Sequence, residues 1–449
     1  MATRQEQLDA YRFAVGRVVA ALLLREPDPA RSPLRRAAGA VLAGLLVAAL
    51  GVAVAAVAGV VAGGGQRDWR APNAVLLVKE TGARYVHRDG RLYPVANLGS
   101  ALLLGDGAAP RRVAAATLTG VPRGLPVGIP GAPDALPARR ALLTGPWAVC
   151  ALPGDRPRAL LYAGRPPAGG TPAGDGGVLV SAGGAEYLVW QQRRHRLLRP
   201  DTVRAALGWT GAPAAAVPAA FVNALGAGPD LDGRPLPGTG RPVRALRGAR
   251  VGDVYLVPGR AGGVDQYAVA VPGGLAPLTP VQASLLLAAA DRGDGAPRPL
   301  TPAAYAAAPR RPPLSPPGTG PASAPRLAAA GTLCALVPDE RGAAEVRLAV
   351  PGVDPAAGVS AGPGGVSRVV LPPGGGVLAR SAPAPGVDGA LLLVTDLGRR
   401  YAVVDDRAQR ALGYGGVAPV RLPAALVALL PAGPALDPAA AARTLAPGS

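Results

Sequence analysis

The chain has 449 residues, more than one ordinary domain needs and enough to bury a sizeable core. Its formal net charge is +19, but the arginines are spread through every segment. No basic run interleaves with aromatics as a stacking groove for single strands requires, so no nucleic-acid partner is expected. Ala, Gly, Pro and Arg dominate, while Lys79 and Ile129 are the only lysine and isoleucine, a skew that follows GC-rich codon usage.

Residues 1–36 read as a cytoplasmic amphipathic helix and linker. From Gln5 to Leu24, Leu8, Tyr11, Val15, Val18, Val19 and Leu22 recur at spacings of three and four, an apolar stripe suited to a membrane surface or a partner helix. Pro27 and Pro29 end that helix. The run Ala37–Ala62 then carries no charge over 26 residues, where roughly 20 apolar residues suffice to span a bilayer as a helix. The alternative is a cleaved signal peptide, whose apolar region is typically about 7–15 residues long and follows a short basic stretch. Seven arginines precede the run, and only Arg67 and Arg70 closely follow it. The positive-inside rule therefore predicts a single pass with the N-terminus cytoplasmic and the main domain, 63–430, outside, in the inner (plasma) membrane of the cell. Gly51, Ala55, Gly59 and Gly63 fall on one helix face at four-residue spacing and are candidates for helix packing in the membrane; chance stripes also arise in so alanine-rich a run.

Beyond the span, four segments resemble one another, at about 75–106, 177–209, 252–290 and 391–430. Each opens with an apolar strand and a glycine turn. A second strand follows, carrying Tyr85, Tyr187, Tyr267 or Tyr401, then a short strand and a helical run. The tyrosines stand 102, 80 and 134 residues apart, which argues against a solenoid of fixed short period. They are expected to anchor the core of each repeat. Strand-like runs at about 110–165 and 327–385 predict a central β domain built from distant segments. Residues 297–325, rich in Pro and Ala, read as an extended loop, and 431–449 as a flexible tail. The fold class is thus a mainly-β (α+β) extracytoplasmic domain with four small repeats around a central β domain.

Cys150 and Cys334 are the only cysteines, and both lie in apolar, strand-like runs on the predicted outer side. A disulfide is expected there, against the alternative of two buried thiols.

Catalytic chemistry finds little support. A phosphate-binding loop needs glycines followed by Lys and Ser or Thr. Lys79 has no glycine loop before it, and GTGRPV at Gly238 and GTGPAS at Gly318 lack the lysine. His87 and His195 sit among charged residues in different repeats and read as solvated surface histidines, too few for a zinc site. No G-x-S-x-G nucleophile motif occurs, and Asp405–Asp406 reads as a turn. No catalytic, cofactor or metal residue is assigned. The two readings are a structural and assembly subunit, or an extracytoplasmic nucleotide hydrolase or cell-wall-binding envelope protein.

The opening ATRQEQLDAYRFAVGRVVAALL, the single span soon after it, LYPVANLGSALLL and GLPVGIPGAPDALP together resemble EccB, the membrane component of actinobacterial type VII (ESX) secretion systems. The resemblance covers nearly the whole chain. It implies an elongated periplasmic domain of four repeats around a central β domain. It also implies assembly with the membrane subunits EccC, EccD and EccE, with EccC as motor, and possible self-association. Some members of the family carry the label ATPase.

Overall fold

The computed structural model describes residues 3–24, 33–63, 69–232, 234–259, 263–290, 295–316, 318–361 and 365–445. Helix α1 spans Arg4–Leu24, and its stripe of Leu8, Tyr11, Val15, Val18 and Leu22 is exposed. Helix α2 spans Pro33–Gly63, 31 residues. Its described side chains, at 39–55, are all exposed. Within the described residues no helix is long and apolar enough to cross a membrane, and for α2 that window is shorter than the uncharged run itself.

Four units follow, and all share one topology. Each has a four-stranded core in the spatial order third–second–first–fourth, extended to six strands in unit two. The first three strands pair antiparallel, as successive hairpins dictate. A short helix then returns the chain so that the fourth strand lies parallel to the first. In unit one the strands are Ala74–Val78, Arg84–Arg88, Arg91–Pro94 and Arg111–Val113, with helix Leu98–Leu104 between the last two. Unit two uses Val178–Ala182, Ala185–Trp190, Arg193–Leu198 and Ala215–Ala216. Unit three uses Val254–Val257, Gln266–Val271, Gly274–Leu278 and Arg298–Pro299. Unit four uses Gly376–Ala382, Leu391–Thr395, Arg400–Val403 and Val420–Pro423. The returning helices are capped locally: Asn97, Thr279 and Asp405 each accept the backbone N–H of the residue three further on. Thr279 and Gln282 form a full capping box.

The units associate in pairs. Leu103, Ile129 and Ala132 of unit one share a buried cluster with Leu393, Tyr401, Leu412 and Leu436 of unit four. Val281 and Leu285 from the helix of unit three pack with Val203, Leu207 and Trp209 of unit two. Between the pairs lies a seven-stranded sheet whose centre is Trp147–Leu152 flanked by Arg158–Tyr162 and Leu333–Val337. Its largest cluster runs from Trp147 through Phe221 to Leu422 and Leu426, joining the sheet to both pairs.

Several expectations from the sequence require correction. The fourth repeat starts at Gly376, inside the stretch assigned to the central domain, because a loop at 383–390 separates its first two strands. Tyr401 therefore sits on the third strand of its unit, while Tyr85, Tyr187 and Tyr267 sit on second strands. Residues 111–113 belong to unit one rather than to the central sheet. The Pro-rich stretch is no simple loop: it supplies the fourth strand of unit three, a helix at Pro302–Ala307 and a bridge from Arg310 to Leu275. The presumed tail is packed through Leu445. Leu436 and Ala441 are fully buried, and Thr444 bridges to Val127 of unit one. Residues 446–449 lie outside the described residues.

Candidate functional site

Cys150 and Cys334 are disulfide-bonded, closing a separation of 184 residues. They stand directly opposite each other on the antiparallel strands Trp147–Leu152 and Leu333–Val337, at the middle of the central sheet. Both are buried, and Leu160, Tyr162 and Val350 pack around them. The bond joins the strand that follows unit one to the strand that precedes unit four. Units two and three leave and return as a loop between the two cysteines.

A second recurring device holds the edge of three units. After its fourth strand, the chain returns parallel to the third strand. The bridges are Leu92 to Arg123 and Val95 to Val127, Arg194 to Ala227 and Leu197 to Leu231, and Arg400 to Ala432 and Val403 to Leu436. Between the two bridges of each, two residues on the third strand oppose three on the return, a one-residue bulge in the same place. The residue after the first bridge is a ring on the strand and a glycine on the return: Tyr93 on Gly124, His195 on Gly228, Tyr401 on Gly433. A Cβ at any of these glycines would fall far inside the closest approach of a real Cβ to the ring. The rings lie against bare backbone, which only glycine permits. In unit three the bridge is Leu275 to Arg310, and the following pair is Ala276 and Arg311, without ring or glycine. This pattern was open to sequence reading as R-G-L-P-V, A-G-P-D-L and A-G-P-A-L at 123, 227 and 432, and was missed.

That device explains His195, and neither histidine is a surface group. His195 is fully buried in the ring slot, its Nδ1 2.9 Å from the Pro229 carbonyl and its Nε2 without a partner. The short bond assigns the proton to Nδ1 and leaves Nε2 a bare acceptor. Burial pushes the imidazole below its ordinary value; the Pro229 carbonyl opposes this, the Arg193 charge adds to it, and Asp230 opposes it. His87 is buried against the edge of Trp69, with Nδ1 3.3 Å from the Ala71 carbonyl. Of the four tyrosines expected in the repeat cores, Tyr401 is buried, and Tyr85, Tyr187 and Tyr267 are half-buried on sheet faces. Gly51 and Ala55 lie on exposed α2; the side-chain positions of Gly59 and Gly63 lie outside the described residues.

The loops that invited a nucleotide reading are turns. Lys79 is exposed at the end of the first strand of unit one, where its amide pairs with the Val113 carbonyl at 2.9 Å. The Thr239 hydroxyl donates to the Leu236 carbonyl and that of Thr319 to the Pro316 carbonyl, each at 2.6 Å, closing their own turns. Neither loop opens onto a helix. Asp405 caps a helix, and Asp406 is that helix's first residue. Among the described residues no three His, Cys, Asp or Glu side chains gather to hold a metal ion. Sequence reading also missed the tie between units one and four: Tyr414 Oη donates to the Pro137 carbonyl at 2.8 Å, and Arg139 donates to the carbonyls of Gly413 and Gly415. Burial pushes the Tyr414 phenol well above its ordinary range, so it donates this bond at every physiological pH.

Residues 1–446 match the family model described as "Type VII secretion system ESX-1, transport TM domain B". The chain is 35% identical over 248 residues to the "ESX-2 secretion system ATPase EccB2" of Mycobacterium tuberculosis, covering 51% of this chain and 48% of that protein. It is 30% identical over 296 residues to the "ESX-3 secretion system ATPase EccB3" of Mycolicibacterium smegmatis, covering 63% and 56%. These matches span about half the length of the curated relatives. Among solved structures, a chain of the EccB3 dimer from the ESX-3 core complex superposes with a TM-score of 0.65 at 27% identity, over 82% of this chain and 100% of that one. A chain of an intact ESX-5 inner membrane complex shares the fold with a TM-score of 0.66 at 24% identity, over 99% and 96%. This chain therefore belongs to the EccB family of type VII secretion proteins.

Proposed function

We propose that this protein is a structural and assembly subunit of a type VII secretion inner-membrane complex, supporting export across the cell envelope. The observation that carries the reading is the mutual dependence of the four units. Two pairs are fixed to one disulfide-closed sheet, an arrangement that resists deformation. EccC, EccD and EccE are its expected partners. Self-association fits the likeness to a chain solved as an EccB3 dimer. The relatives' names include the word ATPase, but the turns at Gly238 and Gly318 have their threonine hydroxyls bonded internally and lack a lysine, and we assign no hydrolysis to this chain.

Helix α2 serves as the single membrane span, with α1 in the cytoplasm and the units outside. Support comes from the uncharged run 37–62 within a 31-residue helix and from the excess of arginines before it. Gly51, Ala55, Gly59 and Gly63 would form its packing stripe, and the exposed α1 stripe its cytoplasmic contact. The test is purification of the complex from native membranes with mass spectrometry of co-purifying chains. Stoichiometric EccC, EccD and EccE are expected; a lone protein overturns the reading. Deleting residues 1–62 should abolish co-purification. A reporter active only outside the cytoplasm should work after Gly63 and fail near Arg31, and the reverse would overturn the orientation.

A further inference from the structure

Units one, two and four close the edge of their third strand in one register. Counting from the first bridge, the third residue along the strand meets the fourth along the return: Val95 meets Val127, Leu197 meets Leu231, and Val403 meets Leu436. Both members of each pair sit in one buried cluster. In unit three the first bridge is Leu275 to Arg310, so the same register sets Leu278 opposite Leu314.

That second contact is not made. Leu314 is 40% exposed, whereas Val127, Leu231 and Leu436 are exposed by 6%, 5% and 0%. After Arg311 the chain bows away from the strand and rejoins the unit at Ala322, whose carbonyl accepts the Val281 amide. Under the bow lies a cleft of about 270 Å³. Its walls include Pro277 and Leu278 of the third strand, Leu285 of the following helix, Leu231 of unit two, and Pro313 and Ser315 of the bow itself. Leu314, between those last two, does not line it. The cleft thus stands where the siblings place Val127, Leu231 or Leu436.

The open seat keeps its hydrogen-bonding group. The Val127 amide donates to the Pro94 carbonyl at 2.9 Å and the Leu436 amide to the Ala402 carbonyl at 2.7 Å, each two strand residues beyond the first bridge. In unit three that position is Pro277, which is exposed and whose carbonyl accepts no backbone amide among the described residues. Pro313 does not bar the seat, because Pro126 likewise precedes Val127 in unit one. The difference is the neighbouring lock: Ala276 and Arg311 stand where the siblings set a ring on a glycine. Leu278 is half-buried, so seating Leu314 on it removes apolar surface of both from water.

We propose that residues 312–316 form a strap with two seats: the bowed one, and a closed one in which Leu314 fills the cleft beside Leu278 and donates its amide to the Pro277 carbonyl. Leu231 of unit two forms part of the cleft wall, so closure also packs the seam between units two and three. The inner pair then has a loose and a stiff form.

Paired cysteines distinguish the seats. Neighbouring strands lie about 4.8 Å apart, within the Cα separations of about 4.4–6.8 Å that a disulfide spans. Closure therefore brings Leu278→Cys and Leu314→Cys into reach, whereas in the bowed form Ser315 is the residue that shares the cleft with Leu278. The full chain in a non-ionic detergent carries Leu278→Cys with Leu314→Cys, Ser315→Cys or Leu397→Cys, the last at an exposed position in unit four. Coupling within the chain is followed by mass spectrometry after addition of oxidised glutathione. The Leu314 pair should couple several-fold faster than the Ser315 pair, and the Leu397 pair should not couple. A Ser315 pair that couples as fast or faster, or a Leu314 pair no faster than the Leu397 pair, overturns the proposal. A retained Cys150–Cys334 bond and a wild-type melting temperature before oxidation show that each variant is folded. A second measurement needs no added cysteine. Leu314→Ala leaves the bowed form intact but weakens the closed seat, and should speed hydrogen exchange of amide 314 several-fold after correction for intrinsic rates. Unchanged exchange overturns the closed seat as well.

Discussion

Tyr401 lies against the backbone of Gly433, and the same contact recurs as Tyr93 on Gly124 and His195 on Gly228. The contact fixes the return segment to the third strand, where a single bulge would otherwise leave a loosely paired edge. Gly433→Ala should therefore lower stability by about 1–3 kcal/mol, the usual cost of forcing an extra methyl into a packed site. Arg311→Gly, in the unit that lacks the ring, should cost much less. Urea or thermal unfolding of the two variants makes the comparison, and equal effects would contradict the stacking argument.

The disulfide closes a separation of 184 residues, for which chain entropy alone gives roughly 5 kcal/mol as an upper figure. Mass spectrometry of non-reduced peptides should find Cys150 joined to Cys334. Cys334→Ser should lower the melting temperature and increase protease cutting between the units, leaving membrane insertion unchanged. Two cysteines alkylated without reductant, in protein exported to an oxidising compartment, would refute the bond.

Buried, neutral His195 makes the domain acid-sensitive. Its folded value is depressed by burial, whereas the unfolded chain takes up a proton below about 6.5. Protons then favour unfolding. The stabilising contribution is complete above the unfolded value and declines as pH falls from about 6.5 toward the depressed folded value. His195→Tyr installs the ring used in units one and four and removes this titration. Its melting temperature should fall less between pH 7 and pH 5 than that of wild type; parallel profiles would remove His195 as the cause.

Residues 431–445 bridge two units. Gly128 donates its amide to the Arg443 carbonyl, and the Leu445 amide donates to that of Pro126. Truncation before Pro431 should raise hydrogen exchange in unit one as well as in unit four. Protection lost only in unit four would mean that the bridge carries no stability.

Local signals made much of this fold legible. Hairpins appeared as apolar runs around glycine turns, and the cysteines as a pair in strand-like segments; the helix cap at Asp405 passed for a turn. Three things depended on tertiary context. The return segments make isolated bridges or two-residue ladders, too short to carry strand periodicity; that of unit one passed for central β domain and that of unit four for tail. Aligning the repeats on tyrosine misplaced unit four, whose aromatic stands one strand later than Tyr85, Tyr187 and Tyr267. His195 looked solvated because Arg193, Arg194 and Arg196 surround it in sequence, while the strand turns its ring alone inward.

The outer pair of units is built from early and late portions of the folded domain, and its ties run from Pro126 and Val127 to Leu445 and Thr444, more than three hundred residues further along the chain. During synthesis the first unit emerges hundreds of residues before the segment that completes its edge. It must wait, exposed and partly unpaired, while the central sheet and the inner pair assemble. Closure of the first unit is then a late event in synthesis. A stalled or prematurely ended product would carry an open first unit next to its proposed membrane anchor, leaving incomplete subunits recognisable to quality-control proteases before they join a partner.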